Sequence, residues 1–261
     1  MRELSARYPV WFCDIWGVVH NGIAPFPWTI DALNKHRHGG GIVVLVSNSP
    51  RTSAGVERQL QGLSVDPASH DAVVTSGDVT RVLIENHGGG KVYHLGPERD
   101  LSIFHRLAVT SATLAEAHAV LCTGLFDDRN ERPEDYTPLL TEMRKRDLVM
   151  ICANPDKTVR YGDHILYCAG SLAEIYAAMG GEVLMAGKPY RPIYELAMKK
   201  AAEIRGGAID LKQVLAIGDG LETDIKGAAA YGIDAVLIAE DGNEPVHDAR
   251  IVATLPRLAW S

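Results

Sequence analysis

The sequence predicts an α/β fold in which parallel strands are covered by helices. Short apolar runs alternate with helix-like stretches along almost the whole chain, as they do in parallel sheets that are flanked by helices. The chain has 261 residues and 46% of them are hydrophobic, which is enough for one large domain or two modest ones. A disordered chain is therefore not expected.

Strands are predicted where an apolar run ends in a polar residue or a glycine. The clearest candidates are residues 10–13, 42–46, 92–95, 120–122, 148–152, 214–217 and 235–238. Helices are predicted between them, several with a Ser, Thr or Asp at the N-terminal cap. They cover residues 52–61, 78–86, 171–179, 192–204 and 222–231.

The net charge, the apolar runs and the cysteine spacing indicate the kind of partner, the location and the role of the cysteines. A formal net charge of -7 gives no overall attraction to nucleic acid or to an anionic membrane, so a small-molecule partner is expected. The apolar run at residues 10–15 is too short to span a bilayer and residues 1–9 lack the pattern of a signal peptide, which predicts a cytoplasmic location. The four cysteines form no CxxC pair and are interpreted as packing residues.

Polar residues in four separated motifs are candidates for one site. They are Asp14 in WFCDIWGVV, Ser47 in VVLVSNSPR, Lys188 in MAGKPY, and Asp219 with Asp224 in VLAIGDGLETDI. Three of the motifs begin just past an apolar run. Because ligands of open parallel sheets bind beyond the carboxyl ends of the strands, these side chains are predicted to converge.

The residue types suit phosphoryl transfer. A strand-end carboxylate such as Asp14 can attack phosphorus, and further carboxylates such as Asp219 can hold a magnesium ion. Ser47 can donate hydrogen bonds to a phosphoryl oxygen, while the charge of Lys188 keeps Asp14 ionised. Taken singly, each motif also has a plain reading as a turn or a helix cap. Their common position at strand ends favours one shared site.

Taken in this order, the motifs resemble those of the haloacid dehalogenase (HAD) superfamily. The segments SNSPR, TSGD, ANPD and GKPY resemble its class IIA branch, which contains sugar phosphatases and 4-nitrophenylphosphatases. The resemblance implies a Rossmann-like parallel-sheet core, formed by residues 1–77 and 186–261, and an inserted α/β cap of the C2 type at residues 78–185. Residues of the cap would select the substrate.

The resemblance also implies roles for single residues. Asp14 would be the nucleophile that becomes an aspartyl phosphate, assisted by Lys188. The phosphate would be bound by Ser47, Asn48 and Lys188, and Mg²⁺ by Asp14, the backbone carbonyl of Trp16, Asp219 and Asp224. The implied substrate is a small phosphorylated metabolite, and the branch also contains cap-mediated homodimers.

Trp16 departs from the pattern of the family. Phosphatases of the family usually read DxDG at the first motif, and the second Asp protonates the leaving group and then activates water. Proton transfer of this kind contributes about 10²- to 10⁴-fold in rate. With Trp16 at that position, we expect a slow enzyme or one restricted to activated phosphates.

The sequence leaves several alternatives to this reading. True haloacid dehalogenases carry an aromatic residue at the position of Trp16 and need no metal, although the GDGLETD motif and the cap favour magnesium and phosphate. His20 is a candidate to replace the missing general acid, because the ordinary pKa of histidine suits proton transfer near neutrality. Trp16 could stack on an aromatic or sugar-like ligand or fill the cavity below the cap. A catalytically impaired protein that binds a phosphorylated ligand is the alternative from another functional class.

Overall fold

The computed structural model describes residues 1–87, 89–161, 164–239 and 250–260. The chain divides into two compact units. The first unit consists of Met1–Ser47, Ala54–Val74 and Lys188–Ser261, and the second of Asn48–Ser53 and Thr75–Gly187. The second unit is therefore an insertion in the sequence of the first. No helix within the described ranges is long and apolar enough to cross a membrane.

The helices and strands alternate along the chain. The helices are α1 (Arg2–Arg7), α2 (Pro27–His38), α3 (Ser53–Gly62), α4 (Ser76–His87), α5 (Thr137–Lys145), α6 (Ala169–Ala178), α7 (Arg191–Arg205) and α8 (Lys226–Tyr231). The strands are β1 (Val10–Cys13), β2 (Ile42–Ser47), β3 (Ala72–Thr75), β4 (Lys91–Leu95), β5 (Thr110–Ser111), β6 (Ala119–Cys122), β7 (Val149–Cys152), β8 (Thr158–Tyr161), β9 (His164–Tyr167), β10 (Val183–Met185), β11 (Val214–Gly218), β12 (Asp234–Ile238) and β13 (Ile251–Leu255).

The first unit is built on a six-stranded sheet in the order β13-β12-β11-β1-β2-β3. The pairs β12/β13, β11/β12, β1/β11 and β1/β2 are parallel. From β1 the chain adds β2 and β3 on one side, and it later adds β11 to β13 on the other. The strand order thus reverses between β1 and β11, and such a switch point is where open α/β sheets bind ligands.

Burial explains why these strands are continuous apolar runs. All four residues of β1 are buried, and Trp11 and Cys13 point into one core cluster with Val43 and Leu215 of the neighbouring strands. A parallel strand that is buried on both faces has no polar side to expose. Helix α7 presents a buried stripe at i, i+4 and i+8 (Ile193, Ala197 and Ala201) and ends at Gly206, whose left-handed φ is 74°.

The second unit contains a five-stranded sheet in the order β10-β7-β6-β4-β5 and a separate antiparallel hairpin, β8–β9. In the five-stranded sheet the strand pairs β7/β10, β6/β7, β4/β6 and β4/β5 are all parallel. Val120 and Cys122 pack in one apolar cluster, which includes residues of α5 and α6. Leu121 lies between them in sequence and packs in another cluster with Ile84 of α4. Helices thus cover both faces, and the predicted α/β fold with parallel sheets is confirmed.

Candidate active site

Asp14 and Asp219 lie at the switch point of the first sheet. Asp14 directly follows β1 and Asp219 directly follows β11, and these two strands are parallel neighbours with Cys13 opposite Ile217. The Asp14 amide donates a hydrogen bond to the Ile217 carbonyl at 2.8 Å, which continues the ladder by one residue. Both carboxylates therefore start from the same edge of the sheet.

Lys188 joins two of the carboxylates. Its ammonium nitrogen lies 2.5 Å from Asp14 Oδ1 and 2.8 Å from Asp224 Oδ1. Only 3% of Lys188, 8% of Asp14 and 5% of Asp224 is exposed, so this is a buried triad of charges. Buried charges require partners of opposite sign, and here each carboxylate has one.

Asp224 reaches the cluster from a π-helical turn, Leu221–Ile225, that precedes α8. The predicted helical segment over residues 222–231 is helical throughout, but its first turn is π-helical. The Asp224 carboxylate accepts hydrogen bonds from the Gly220 amide and the Thr223 hydroxyl, both at 3.2 Å. The buried Tyr194 hydroxyl donates to the Asp224 carbonyl at 3.3 Å. Such local turns often occur at functional sites because they redirect one side chain.

Three carboxylates meet in a group that could hold a metal ion. Oxygen atoms of Asp14, Asp219 and Asp224 all lie within 4.8 Å of one another, and Asp219 is exposed while the other two are buried. Gly17 makes this approach possible, since a side-chain carbon at its position would overlap the Asp219 carboxylate. Mg²⁺ prefers oxygen ligands and retains several waters, so this donor set fits the ion.

The charges of the cluster favour a cation. Burial raises the pKa of Asp14, the Asp224 and Asp219 carboxylates raise it further, and Lys188 opposes them. Burial by itself would lower the pKa of Lys188, but Asp14 and Asp224 outweigh it, so the pKa is raised and the ammonium stays charged. Three carboxylates against one ammonium leave an excess of negative charge that a divalent cation would neutralise.

Ser47 and Asn48 lie on either side of the division between the units. Ser47 is the last residue of β2, next to β1 in the sheet, and it is buried. Asn48 belongs to the second unit, where its side-chain amide donates to Asp156 Oδ1 at 2.8 Å. Ser47 therefore lies at the same edge of the sheet as Asp14, whereas the side-chain amide of Asn48 is hydrogen-bonded to Asp156.

Trp16 is half-buried and lies beside His20. The Gly17 amide donates to the His20 carbonyl at 2.9 Å, and the two rings are 5.2 Å apart at an interplanar angle of 75°. The His20 ring is buried and its Nδ1 accepts a hydrogen bond from the Gly22 amide at 2.9 Å. Burial lowers the pKa of His20 to about 4. A neutral imidazole of this kind does not suit the role of the missing acid at neutral pH.

Sequence reasoning did not single out Gly17 and Tyr194. Gly17 stands within the first motif, but its contact depends on the position of Asp219, more than 200 residues later. Tyr194 looks like an ordinary buried helix residue, and its bond to the Asp224 carbonyl follows only from the packing of α7. Neither residue has a local signal that identifies its contact.

Comparisons with known proteins identify the family of the chain. A family model described as Haloacid dehalogenase-like hydrolase matches residues 11–110, and one described as HAD-hydrolase-like matches residues 185–256. The crystal structure of a hydrolase of the haloacid dehalogenase-like family from Brucella suis 1330 is 45% identical, with a TM-score of 0.94 over 99% of this chain and 98% of that chain.

Two more distant proteins are similar over the whole of this chain. The structure of a possible sugar phosphatase of the HAD superfamily from Cytophaga hutchinsonii is 21% identical, with a TM-score of 0.80 over 100% of this chain and 97% of that chain. A D-glycerol 3-phosphate phosphatase from Mycobacterium tuberculosis is 23% identical over 298 residues, which cover 100% of this chain and 77% of that protein.

Proposed function

Because the chain belongs to the haloacid dehalogenase-like family of hydrolases, we propose that it is a magnesium-dependent phosphatase that acts on a small phosphorylated metabolite. The observation that carries the proposal is the buried contact of Lys188 with Asp14 and Asp224, beside the exposed Asp219. This arrangement combines a nucleophile, a fixed positive charge and oxygen ligands for a cation. The phosphatases among the similar proteins support the same reaction class.

Asp14 is the proposed nucleophile. One of its carboxylate oxygens attacks phosphorus, the bond between phosphorus and the ester oxygen breaks, and the leaving group departs with the electron pair. Water then attacks the aspartyl phosphate, which releases phosphate and restores the carboxylate. The Lys188 ammonium favours the ionised form of Asp14 against the effect of burial and offers charge to the phosphoryl oxygens, and the Ser47 hydroxyl at the same sheet edge donates a hydrogen bond to them.

The proposed ligands of the cation are Asp14, Asp219, Asp224 and the backbone carbonyl of Trp16. When bound, Mg²⁺ would screen the repulsion between a carboxylate nucleophile and an anionic phosphate. Lys188 already compensates part of the charge of Asp14 and Asp224. The exposed Asp219 is the carboxylate of the group that solvent reaches most readily.

Trp16 sets the expected rate. Without a carboxylic acid at this position, the leaving group receives no proton from the first motif, so turnover is slow for leaving groups that need protonation. The second unit, most of which is inserted between β3 and α7 in sequence, is proposed to be the cap domain that selects the substrate.

Trp16 also favours a second candidate function. A protein that has lost its general acid and keeps its charged cluster could bind a phosphorylated ligand without hydrolysing it. Tight binding of the ligand without release of phosphate would distinguish this function from an enzyme. The three carboxylates count against a metal-independent dehalogenase, which would have no use for such a cluster.

The test is phosphate release with Mg²⁺ from acetyl phosphate, 4-nitrophenyl phosphate and several sugar phosphates. We expect turnover by the wild type, loss of it in Asp14→Asn, and loss of it when the metal is chelated. Asp31→Asn is the matched control, because Asp31 is an exposed residue of α2 that is paired with Lys35. If the wild type releases no more phosphate than Asp14→Asn from any substrate, the phosphatase proposal is wrong.

A further inference from the structure

We propose that Tyr194 is a positioning residue of the site: through its contact with the backbone of Asp224, it sets where the Asp224 carboxylate lies against Lys188 and a bound Mg²⁺. This inference rests on the proposed function and adds a residue to the same site. Tyr194 belongs to α7 and Asp224 to the π-helical turn before α8, so the contact joins two elements of the first unit.

The side chain of Asp224 is closely enclosed. A side-chain carbon at Gly218, the last residue of β11, would overlap the Asp224 carboxyl carbon, so the carboxylate occupies space that only glycine leaves. Asp224 Oδ1 accepts a hydrogen bond from Lys188 at 2.8 Å, and Oδ2 accepts one from the Gly220 amide at 3.2 Å. A small shift of the residue would therefore disturb the contacts of both oxygens.

The backbone of Asp224 is held from the opposite end by Tyr194, whose hydroxyl donates to the Asp224 carbonyl at 3.3 Å. Only 2% of Tyr194 is exposed, and a hydroxyl at such depth needs a partner. Gly227 allows the approach, since a side-chain carbon at its position would overlap the Tyr194 hydroxyl. The ring also stacks on Tyr231 of α8, with centroids 5.3 Å apart and planes 23° apart. Packing therefore fixes the position of the hydroxyl.

The carbonyl and the carboxylate of Asp224 belong to one residue in a tight turn. If the backbone moves relative to α7, the carboxylate moves with it and its contact with Lys188 changes. Groups that bond to a metal ligand orient that ligand, and their loss typically lowers metal affinity about 10- to 100-fold. Tyr194 is thus expected to act on the metal through Asp224.

The experiment measures Mg²⁺ affinity by isothermal titration with MgCl₂, and stability by urea denaturation, on the full chain. Tyr194→Phe removes the hydroxyl and keeps a ring against Tyr231, and we expect it to weaken Mg²⁺ binding about tenfold. Gly227→Ala displaces the same hydroxyl and should weaken binding to a similar extent. Gly227 lies in α8, and alanine is the better helix former, so helix propensity cannot account for such a loss.

Tyr176→Phe is the matched control. Tyr176 is a buried tyrosine of α6 whose hydroxyl donates to the Leu148 carbonyl at 2.5 Å, within the second unit. This variant loses the same kind of hydrogen bond and should lose stability, but it should keep the Mg²⁺ affinity of the wild type. A crystal structure of Tyr194→Phe gives a second readout, in which the contact between the Lys188 ammonium and Asp224 Oδ1 should lengthen beyond hydrogen-bond range.

The inference would be overturned if Tyr194→Phe bound Mg²⁺ as tightly as the wild type, or if the wild type bound no Mg²⁺. An equal loss of affinity in Tyr176→Phe would also overturn it, because the loss would then follow stability alone. The phosphatase proposal fails by a different result, namely Mg²⁺ binding that depends on Tyr194 without any phosphate release that depends on Asp14. Release that depends on Asp14, with unchanged Mg²⁺ affinity in Tyr194→Phe, would keep the phosphatase and reject the role of Tyr194.

Discussion

Gly17 positions a carboxylate by having no side chain. Its φ is +82°, a conformation that favours glycine, and a side-chain carbon there would overlap the Asp219 carboxylate. We expect Gly17→Ala to displace Asp219 and to weaken Mg²⁺ binding at least about tenfold, because the site would lose its exposed ligand. Isothermal titration with MgCl₂ would measure the affinity.

Gly40→Ala separates displacement from backbone strain. Gly40 has a similar φ of +86°, but a side-chain carbon at its position would meet no atom within 4 Å. The variant should lose about 1 kcal/mol of stability from strain and keep the Mg²⁺ affinity of the wild type. Equal affinities for the Gly17 and Gly40 variants would show that contact between Gly17 and Asp219 does not control the metal site.

The candidate site could be predicted from sequence where a residue directly follows a strand. Asp14, Ser47 and Asp219 stand at or just past the ends of β1, β2 and β11, and the rule for parallel sheets places such residues at one edge. The rule says nothing about side-chain direction. The π-helical turn that carries Asp224 depends on bonds from Gly220 and Thr223, which no periodicity in the sequence shows.

At the level of elements, the strands with continuous apolar runs were predicted correctly and several helices were not. Residues 214–218 and 235–238 are buried, and their uninterrupted apolar sequence predicts strands. The prediction missed α2, whose buried residues include Thr29 and His36, so its inner face is not an apolar stripe. It also missed α5, which buries only Leu140 and Met143. In α2 polar residues at buried positions hide the period that predicts a helix, and α5 has too few buried apolar residues to show it.

The turn after β4 provides a test at this scale. Gly96 has a φ of +150°, and a side-chain carbon there would overlap the Thr123 hydroxyl, which lies 2.9 Å from His94 Nε2. We expect Gly96→Ala to lower the free energy of unfolding by about 2 to 4 kcal/mol through strain and overpacking. Urea denaturation would measure the change.

Gly62→Ala is the control for Gly96→Ala. Gly62 closes α3, and a side-chain carbon at its position would meet nothing within 4 Å. Alanine should be neutral there or stabilise the protein by up to about 1 kcal/mol. If both alanine variants unfold at the same urea concentration, the turn after β4 does not require glycine.

At the scale of the whole molecule, one sheet gathers residues that are far apart in sequence. Asp14 follows β1 and Asp219 follows β11, and these strands are neighbours although the whole second unit separates them along the chain. The order of the motifs indicated this arrangement because the resemblance supplied a template for it. In the second unit the segments TSGD and ANPD indicated the branch of the family but not the substrate, so sequence reasoning named no specificity residue there.

Buried histidines make the stability of the molecule depend on pH. Burial lowers the pKa of His20, His36 and His94 to about 4, below the value of about 6.5 for an exposed histidine. The folded state therefore binds fewer protons than the unfolded state between these two values. By linkage, the free energy of unfolding falls as the pH is lowered from about 6.5 towards 4, and the contribution of these groups is complete above about pH 7.

His36 is the member of this group that is easiest to test. Its ring stacks on the Trp11 indole with centroids 3.8 Å apart and planes 6° apart, and its Nδ1 lies 2.7 Å from the Ser5 hydroxyl. Protonation would place a charge in this buried stack, so we expect His36 to account for about 1 to 3 kcal/mol of the stability lost between pH 7.5 and pH 4.5. Denaturation followed by tryptophan fluorescence at the two pH values would measure the loss.

His36→Phe keeps a ring against Trp11 and cannot take up a proton, so it should lose less stability on acidification than the wild type. His38→Gln is the control, because His38 is an exposed residue at the end of the same helix and should leave the loss unchanged. Buried carboxylates with a raised pKa, such as Asp14, act with the opposite sign, since their protonation favours the folded state at low pH. The comparison between variants removes that shared contribution, and an equal loss in the wild type and His36→Phe would exclude His36 as a source of acid sensitivity.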